Sequence, residues 1–198
     1  EEKLKLWEWV AECAASNKIL VAGTGAEGVR ETVALTNAAA ERGYKAAMVR
    51  TPFYYRNLIH RPESQLLYFR TVADQAKIPI LIYNWPQVTG VDLPVDTVVA
   101  LSEHPNIFGI KESSGNLEKC MQMIQSVKAG FQVLTGSAPI LAPSLAVGCA
   151  GAVLAFANAA PYTTVTIWEA HRTREPEAAM DWQRRILRAA QLVTVKYG

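Results

Sequence analysis

Apolar residues run along this chain in two alternating rhythms. Short runs rich in Ile, Val, Leu and Ala read as strands over Ile19–Ala22, Ala46–Arg50, Ile80–Tyr83, Ile107–Lys111, Gln132–Thr135 and Gly151–Leu154. Between them, longer stretches with apolar residues at helical spacing predict helices near Glu27–Arg42, Pro62–Ala76, Val95–Glu103, Leu117–Ala129 and Ala138–Val147. A helix over Leu4–Ala15 precedes the first strand, and two more, Tyr162–Arg172 and Glu177–Lys196, follow the last. Gly43, Asn106 and Gly130 close helices, while Pro62, Pro94 and Pro176 lie near helix starts. Strict β–α alternation with short connections implies a parallel sheet with helices packed around it. An open doubly wound sheet and a (β/α)8 barrel both fit. Six strands are too few for a complete barrel, which takes about 250 residues. The chain is therefore an open sheet or part of a barrel.

Composition narrows the class. The 198 residues are 50% hydrophobic and 19% charged, which suits one packed domain rather than two large ones. A net charge of +2, with no basic stripe carrying interleaved aromatics, gives nucleic-acid binding no support. No apolar run reaches the roughly 18 residues of a membrane span, and the start Glu-Glu-Lys-Leu-Lys-Leu-Trp has no signal-peptide core. Cys13, Cys120 and Cys149 are odd in number and widely spaced, without a CxxC, so they read as reduced thiols of a cytoplasmic protein. His60, His104 and His171 form no metal-ligand spacing, and no metal is expected.

Polar residues at the strand exits carry the candidate chemistry. Gly23-Thr24-Gly25-Ala26-Glu27-Gly28 is a literal GxGxxG between a strand and a helix, the context of a dinucleotide site. The acid expected at the end of the next strand is absent, because that strand ends Met48-Val49-Arg50-Thr51. A plain glycine-rich turn is the simpler reading. Thr51-Pro52-Phe53-Tyr54-Tyr55-Arg56 turns at a proline and presents two tyrosines, which cannot both face one way on an extended backbone. They face a site or a subunit contact, or else cap the core. Tyr83 ends an apolar strand with a phenol that either finds a structural partner or relays a proton. Lys111 ends another. A lysine there either snorkels outward or is held against an apolar wall as a neutral amine, the nucleophile of Schiff-base chemistry. Thr51, Tyr83 and Lys111 all lie where a strand hands over to its loop, on the functional edge of parallel α/β folds. A lysine and a phenol there make a class I aldolase-like pair.

At these residues the chain resembles the pyruvate-dependent class I aldolases, the family of dihydrodipicolinate synthase, N-acetylneuraminate lyase and 4-hydroxy-2-oxoglutarate aldolase. The matching strings are VAGTGA (Val21–Ala26), TPFYY (Thr51–Tyr55), ILIYNWP (Ile80–Pro86), TGVDLP (Thr89–Pro94), NIFGIKESSG (Asn106–Gly115), LTGS (Leu134–Ser137) and GAVLAFAN (Gly151–Asn158). The resemblance implies a (β/α)8 barrel of which residues 1–160 carry strands 3 to 8. Residues 161–198 would hold the last barrel helix and the start of a C-terminal helical extension. The first two strands, with a hydroxyl-rich segment that helps bind the substrate carboxylate, would then be missing. It makes Lys111 the Schiff-base lysine and Tyr83 the proton-shuttling tyrosine. Tyr54 falls at a tyrosine that crosses a dimer interface, and Ser113, Gly136 and Val153 fall at positions lining the substrate site. It implies small-molecule 2-oxo acid and aldehyde substrates, a homotetramer built as a dimer of dimers, and no cofactor.

Departures from the family pattern bear on substrate. Dihydrodipicolinate synthases commonly carry a carboxylate-binding arginine in the place of Val88, so that activity is disfavoured. Ser137-Ala138-Pro139 after Gly136 argues against sialate lyase. The Gly-Ser-Ala string and the Ala190–Gly198 stretch are most similar to the 4-hydroxy-2-oxoglutarate aldolases. The expected reaction is cleavage or condensation of a 2-oxo acid with pyruvate as product or donor.

Overall fold

The computed structural model describes residues 1–197. Six strands lie in one sheet in chain order: β1 (Val21–Gly23), β2 (Ala46–Arg50), β3 (Ile80–Asn84), β4 (Ile107–Glu112), β5 (Gln132–Thr135) and β6 (Gly151–Ala152). The pairs β1–β2, β2–β3 and β5–β6 are parallel. The chain divides into two compact units, Glu1–Ile110 with Val127–Phe131, and Lys111–Ser126 with the residues from Gln132 onward.

In the first unit, Ile80, Leu81 and Ile82 are all buried, as are Ala47 and Val49. A strand covered on both faces reads as a continuous apolar run rather than an alternation, which is why β2 and β3 were legible. Helices α2 (Val29–Glu41), α4 (Pro62–Gln75) and α6 (Val95–Ser102) pack in series, α2 on α4 and α4 on α6. Phe69 and Val72 of α4, Val98 and Leu101 of α6, and Thr36 and Ala39 of α2 are buried there. The Asn106 amide donates to the carbonyls of Ala73 (2.9 Å) and Ala76 (3.1 Å), tying the end of α4 to the start of β4. Helix α1 (Glu2–Cys13) docks mainly through Trp7, its ring 6.0 Å from that of Tyr44, with Leu4 and Ala11 packed beside it.

The second unit holds α7 (Leu117–Ser126), α8 (Leu141–Ala146), α9 (Pro161–Arg172) and α10 (Pro176–Gln191). Its core gathers Leu141, Leu145, Phe156, Ile167 and Ile186. Among the described residues no helix is long and apolar enough to cross a membrane.

Element ends differ from the sequence reading where side chains take over backbone groups. The second helix starts at Val29 rather than Glu27, because the Glu27 carboxylate is drawn to the next loop. The single helix expected over Ala138–Val147 is a 3-10 turn, Ala138–Ile140, followed by α8. Gln183 stabilises that break: its carbonyl accepts the Ala142 N–H (2.8 Å) and its amide donates to Ala138 O (3.1 Å). The last predicted helix ends at Gln191 and continues as a π-type turn over Leu192–Lys196. Two one-turn helices, α3 (Arg56–Ile59) and α5 (Pro86–Thr89), are too short for a periodic signal.

Candidate active site

Lys111 sits one residue from the end of β4, after Ile110, which is fully buried. The lysine itself is only 8% exposed. Burial disfavours the ammonium, and its pKa falls from 10.5 to about 8. Successive strand residues point to opposite faces, so the next side chain, Glu112, turns the other way. Its carboxylate, 1% exposed, accepts the Ser114 N–H (2.7 Å) and pairs with Lys119 (3.4 Å). That acid shapes the turn after the strand.

Gly136 lies beside the lysine. Its N–H donates to Glu112 O at 2.8 Å. A Cβ built on Gly136 would stand 2.9 Å from Lys111 Cε and 2.9 Å from Ser113 Cβ, and would overlap Ser113 Oγ. Only glycine lets the exit of β5 approach the lysine stem this closely. Ser113 Oγ is buried and has no hydrogen-bond partner. Val153 follows at the exit of β6, its N–H donated to Thr135 O at 2.9 Å. In the second unit, therefore, Lys111, Ser113 and Gly136 are in contact, and Val153 stands at the end of the next strand.

The first unit carries the remaining candidates. Tyr83 pairs with Arg50 across β2 and β3, and its carbonyl accepts the Thr51 N–H at 3.1 Å. Its ring stacks on Trp85, with centroids 5.9 Å apart. Asn84 fixes the segment after it, donating to Asp92 Oδ1 (2.8 Å) and accepting the Leu93 N–H (3.2 Å). Thr51 Oγ1 is buried without a partner. Tyr54 is 74% exposed and meets the edge of Tyr55. Val88, also well exposed, offers no charge.

In the glycine-rich turn after β1, two of the amides that could hold a pyrophosphate are already engaged. Thr24 N–H goes to Met48 O (3.0 Å), and Ala26 N–H goes to Thr32 Oγ1 (3.0 Å). A carboxylate, Glu27, occupies the mouth of the turn. Three contributors escaped the sequence reading: Glu27, the Asn84 clamp and the buried Glu112–Lys119 pair. Glu27 depends on partners distant in sequence, while Asn84 and Glu112 meet theirs across a turn with no periodic signal, although an acid directly after a strand-end lysine is a visible hint. A cavity of about 410 Å³ in the second unit is lined by Leu134, Leu141, Leu154, Val165 and Trp168. It is apolar and holds none of the candidate residues. Among the described residues, no group of three or more His, Cys, Asp or Glu could hold a metal ion.

Parallel strands in chain order, helices between them and a buried amine at a strand exit define a (β/α)-barrel-type protein with a lysine suited to carbonyl chemistry. The chain belongs to the dihydrodipicolinate synthetase family, which it matches over residues 1–197. It is 42% identical over 168 residues to the 4-hydroxy-tetrahydrodipicolinate synthase of Methanothrix thermoacetophila, covering 83% of this chain and 55% of the relative. It is 37% identical over 176 residues to an Emericella nidulans protein named as a probable mitochondrial 4-hydroxy-2-oxoglutarate aldolase, covering 88% and 57%. Among solved structures, the dihydrodipicolinate synthase of Acinetobacter baumannii, complexed with pyruvate, superposes with a TM-score of 0.92 at 27% identity, covering 98% of this chain and 66% of that one. The fold is thus part of a (β/α)8 barrel, and the chain spans between half and two thirds of the length of these relatives.

Proposed function

We propose that the protein is a carbon–carbon lyase of the class I type, in which Lys111 forms an imine with pyruvate and Tyr83 carries the proton. The observation that carries this reading is the buried Lys111 amine, with its pKa lowered to about 8. Neutral Nζ attacks the keto carbon, and loss of water leaves a protonated imine. Loss of a C3 proton gives an enamine, whose C3 attacks an aldehyde carbon while Tyr83 protonates the new alkoxide. Water then hydrolyses the imine. In the reverse direction, Tyr83 takes the proton of the 4-hydroxyl as the C3–C4 bond breaks, and pyruvate is released. Splitting one difficult step into several easier ones is the advantage of covalent catalysis. Ser113, Gly136 and Val153 line the substrate, and Tyr54 serves a neighbouring subunit in a dimer of dimers.

The synthase direction, pyruvate with an aldehyde, is placed first. Most curated relatives at this level of similarity carry the 4-hydroxy-tetrahydrodipicolinate synthase name. This reverses the order that Val88 alone had set. Cleavage of 4-hydroxy-2-oxoglutarate is kept as the second reading, because Val88 is 57% exposed and aliphatic where the synthases commonly carry an arginine. The same proposal takes residues 161–198 as the last barrel helix and the start of the extension. It sets the protein in a reducing compartment, the cytoplasm, on its free Cys13, Cys120 and Cys149.

Borohydride added with pyruvate to the intact protein should trap an adduct on Lys111, located by peptide mass mapping. Absence of an adduct at that residue would remove the Schiff-base role. Pyruvate release from 4-hydroxy-2-oxoglutarate, measured against pyruvate consumption with an aldehyde, decides between the two directions.

A further inference from the structure

The glycine-rich turn after β1 is left without a role by the lyase reading, yet it carries a cluster of long-range polar contacts. One carboxylate, that of Glu27, accepts three hydrogen bonds across more than twenty residues of sequence. Oε2 takes the N–H of Phe53 (2.9 Å) and of Tyr54 (3.0 Å), and Oε1 takes Arg50 Nη1 (2.9 Å). Arg50 Nη1 also donates to Thr51 O (3.2 Å), and its guanidinium lies 4.6 Å from the centre of the Phe53 ring. Gly25 makes this possible: a Cβ there would stand 2.5 Å from Arg50 N and 2.8 Å from Arg50 Cγ. The motif therefore clears room for one strand exit and then grips the loop that follows it. A carboxylate facing backbone N–H groups and a guanidinium makes charge-assisted bonds, stronger than neutral ones.

Beyond the gripped backbone, Tyr54 and Tyr55 project outward, both well exposed and in edge-to-face contact at 5.1 Å. We infer that Glu27, braced by Arg50, is a positioning residue that aims Tyr54 for the lyase reaction, and that the glycine motif exists to hold it. This rests on the lyase reading and on the role given there to Tyr54. It adds a residue that touches no substrate.

The test uses the intact protein with Glu27→Ala, Tyr54→Phe and the double variant. Misaiming a group by about 1 Å costs on the order of 100-fold in rate. Glu27→Ala should lower kcat by roughly 10- to 100-fold. The KM for pyruvate and the yield of borohydride adduct on Lys111 should stay unchanged, a split that general loss of structure would not produce. The double variant should be no slower than Tyr54→Phe, because residues that act through one another are not additive. An unchanged kcat, or fully additive losses, overturns the inference. Hydrogen exchange at the Phe53 and Tyr54 amides gives a readout independent of activity. Faster exchange in Glu27→Ala is expected, and unchanged protection overturns the grip itself. If the wild-type protein forms no adduct and turns nothing over, the lyase reading fails and the catalytic part of the inference falls with it, even where exchange shows the grip to be real.

Discussion

Replacing Lys111 with methionine tests the buried amine without relying on catalysis. In the fold the lysine titrates near 8, against 10.5 when unperturbed. Below pH 8 it is charged in both states, and the fold carries the whole cost of burying an ammonium. Above 10.5 it is neutral in both, and that cost is gone. Between these values the unfolded chain binds more protons than the folded one, so stability rises with pH. The shift of about 2.5 units corresponds to about 3 kcal/mol at 1.36 kcal/mol per unit. Methionine keeps the length and apolar stem while removing the charge, so Lys111→Met should be more stable than wild type at pH 7, by up to about 3 kcal/mol. The gap should close between pH 8 and 10.5. Urea denaturation of both proteins at several pH values measures it, and the difference cancels other titrating groups. The same shift leaves about a fifth of the lysine neutral at pH 7.4, against roughly 0.1% at an ordinary pKa. The rate of borohydride trapping with pyruvate should therefore level off above pH 8. A variant less stable than wild type at pH 7, or trapping that still climbs past pH 10, would refute the argument.

Other perturbations follow from single contacts. Gly136→Ala would force its methyl against Ser113 and the Lys111 stem, at a cost of about 1–3 kcal/mol; thermal unfolding should show the loss, with slower adduct formation on Lys111. Lys119→Met removes the cation paired with the buried Glu112 carboxylate, which keeps the Ser114 N–H, and should cost up to about 3–5 kcal/mol, most of it recovered in Lys119→Met/Glu112→Gln, as urea midpoints would record. Tyr83→Phe should lower turnover while leaving imine trapping in place; unchanged turnover in a steady-state assay would rule out an essential phenol. Asn106→Ala removes donors to Ala73 and Ala76 at the end of α4 and should cost about 1–3 kcal/mol, read from the same denaturation curves.

What was legible in the sequence was what repeats or what is chemically odd at one position. The starts of β2 to β6 are all legible in the sequence; β3, covered on both faces, is the clearest because it is an unbroken apolar run. Lys111 stood out because an ammonium at the end of such a run conflicts with its surroundings. The family strings then joined it to Tyr83, Ser113, Gly136 and Val153. The subfamily was less legible: Val88 and the Gly-Ser-Ala string pointed to the aldolases, while the curated relatives lean toward the synthases. A single lost charge says what a position cannot do, and not what the rest of a site does in its place.

The alternation of short apolar runs and amphipathic stretches determined by itself that this is a parallel α/β chain, since period and β-branching are local properties. A lysine, a phenol and a pair of tyrosines at strand exits were equally local facts. Only the tertiary structure decided what each meets. It lowered the Lys111 pKa by enclosing the stem, set Gly136 against that stem, and turned Glu112 toward Lys119. It also converted a literal nucleotide-type motif into a grip on the Thr51–Tyr55 turn. Desolvation, close approach and charge pairing join groups on different elements, as Gly136 meets Lys111 and Glu27 meets Arg50, and no spacing along the chain encodes them.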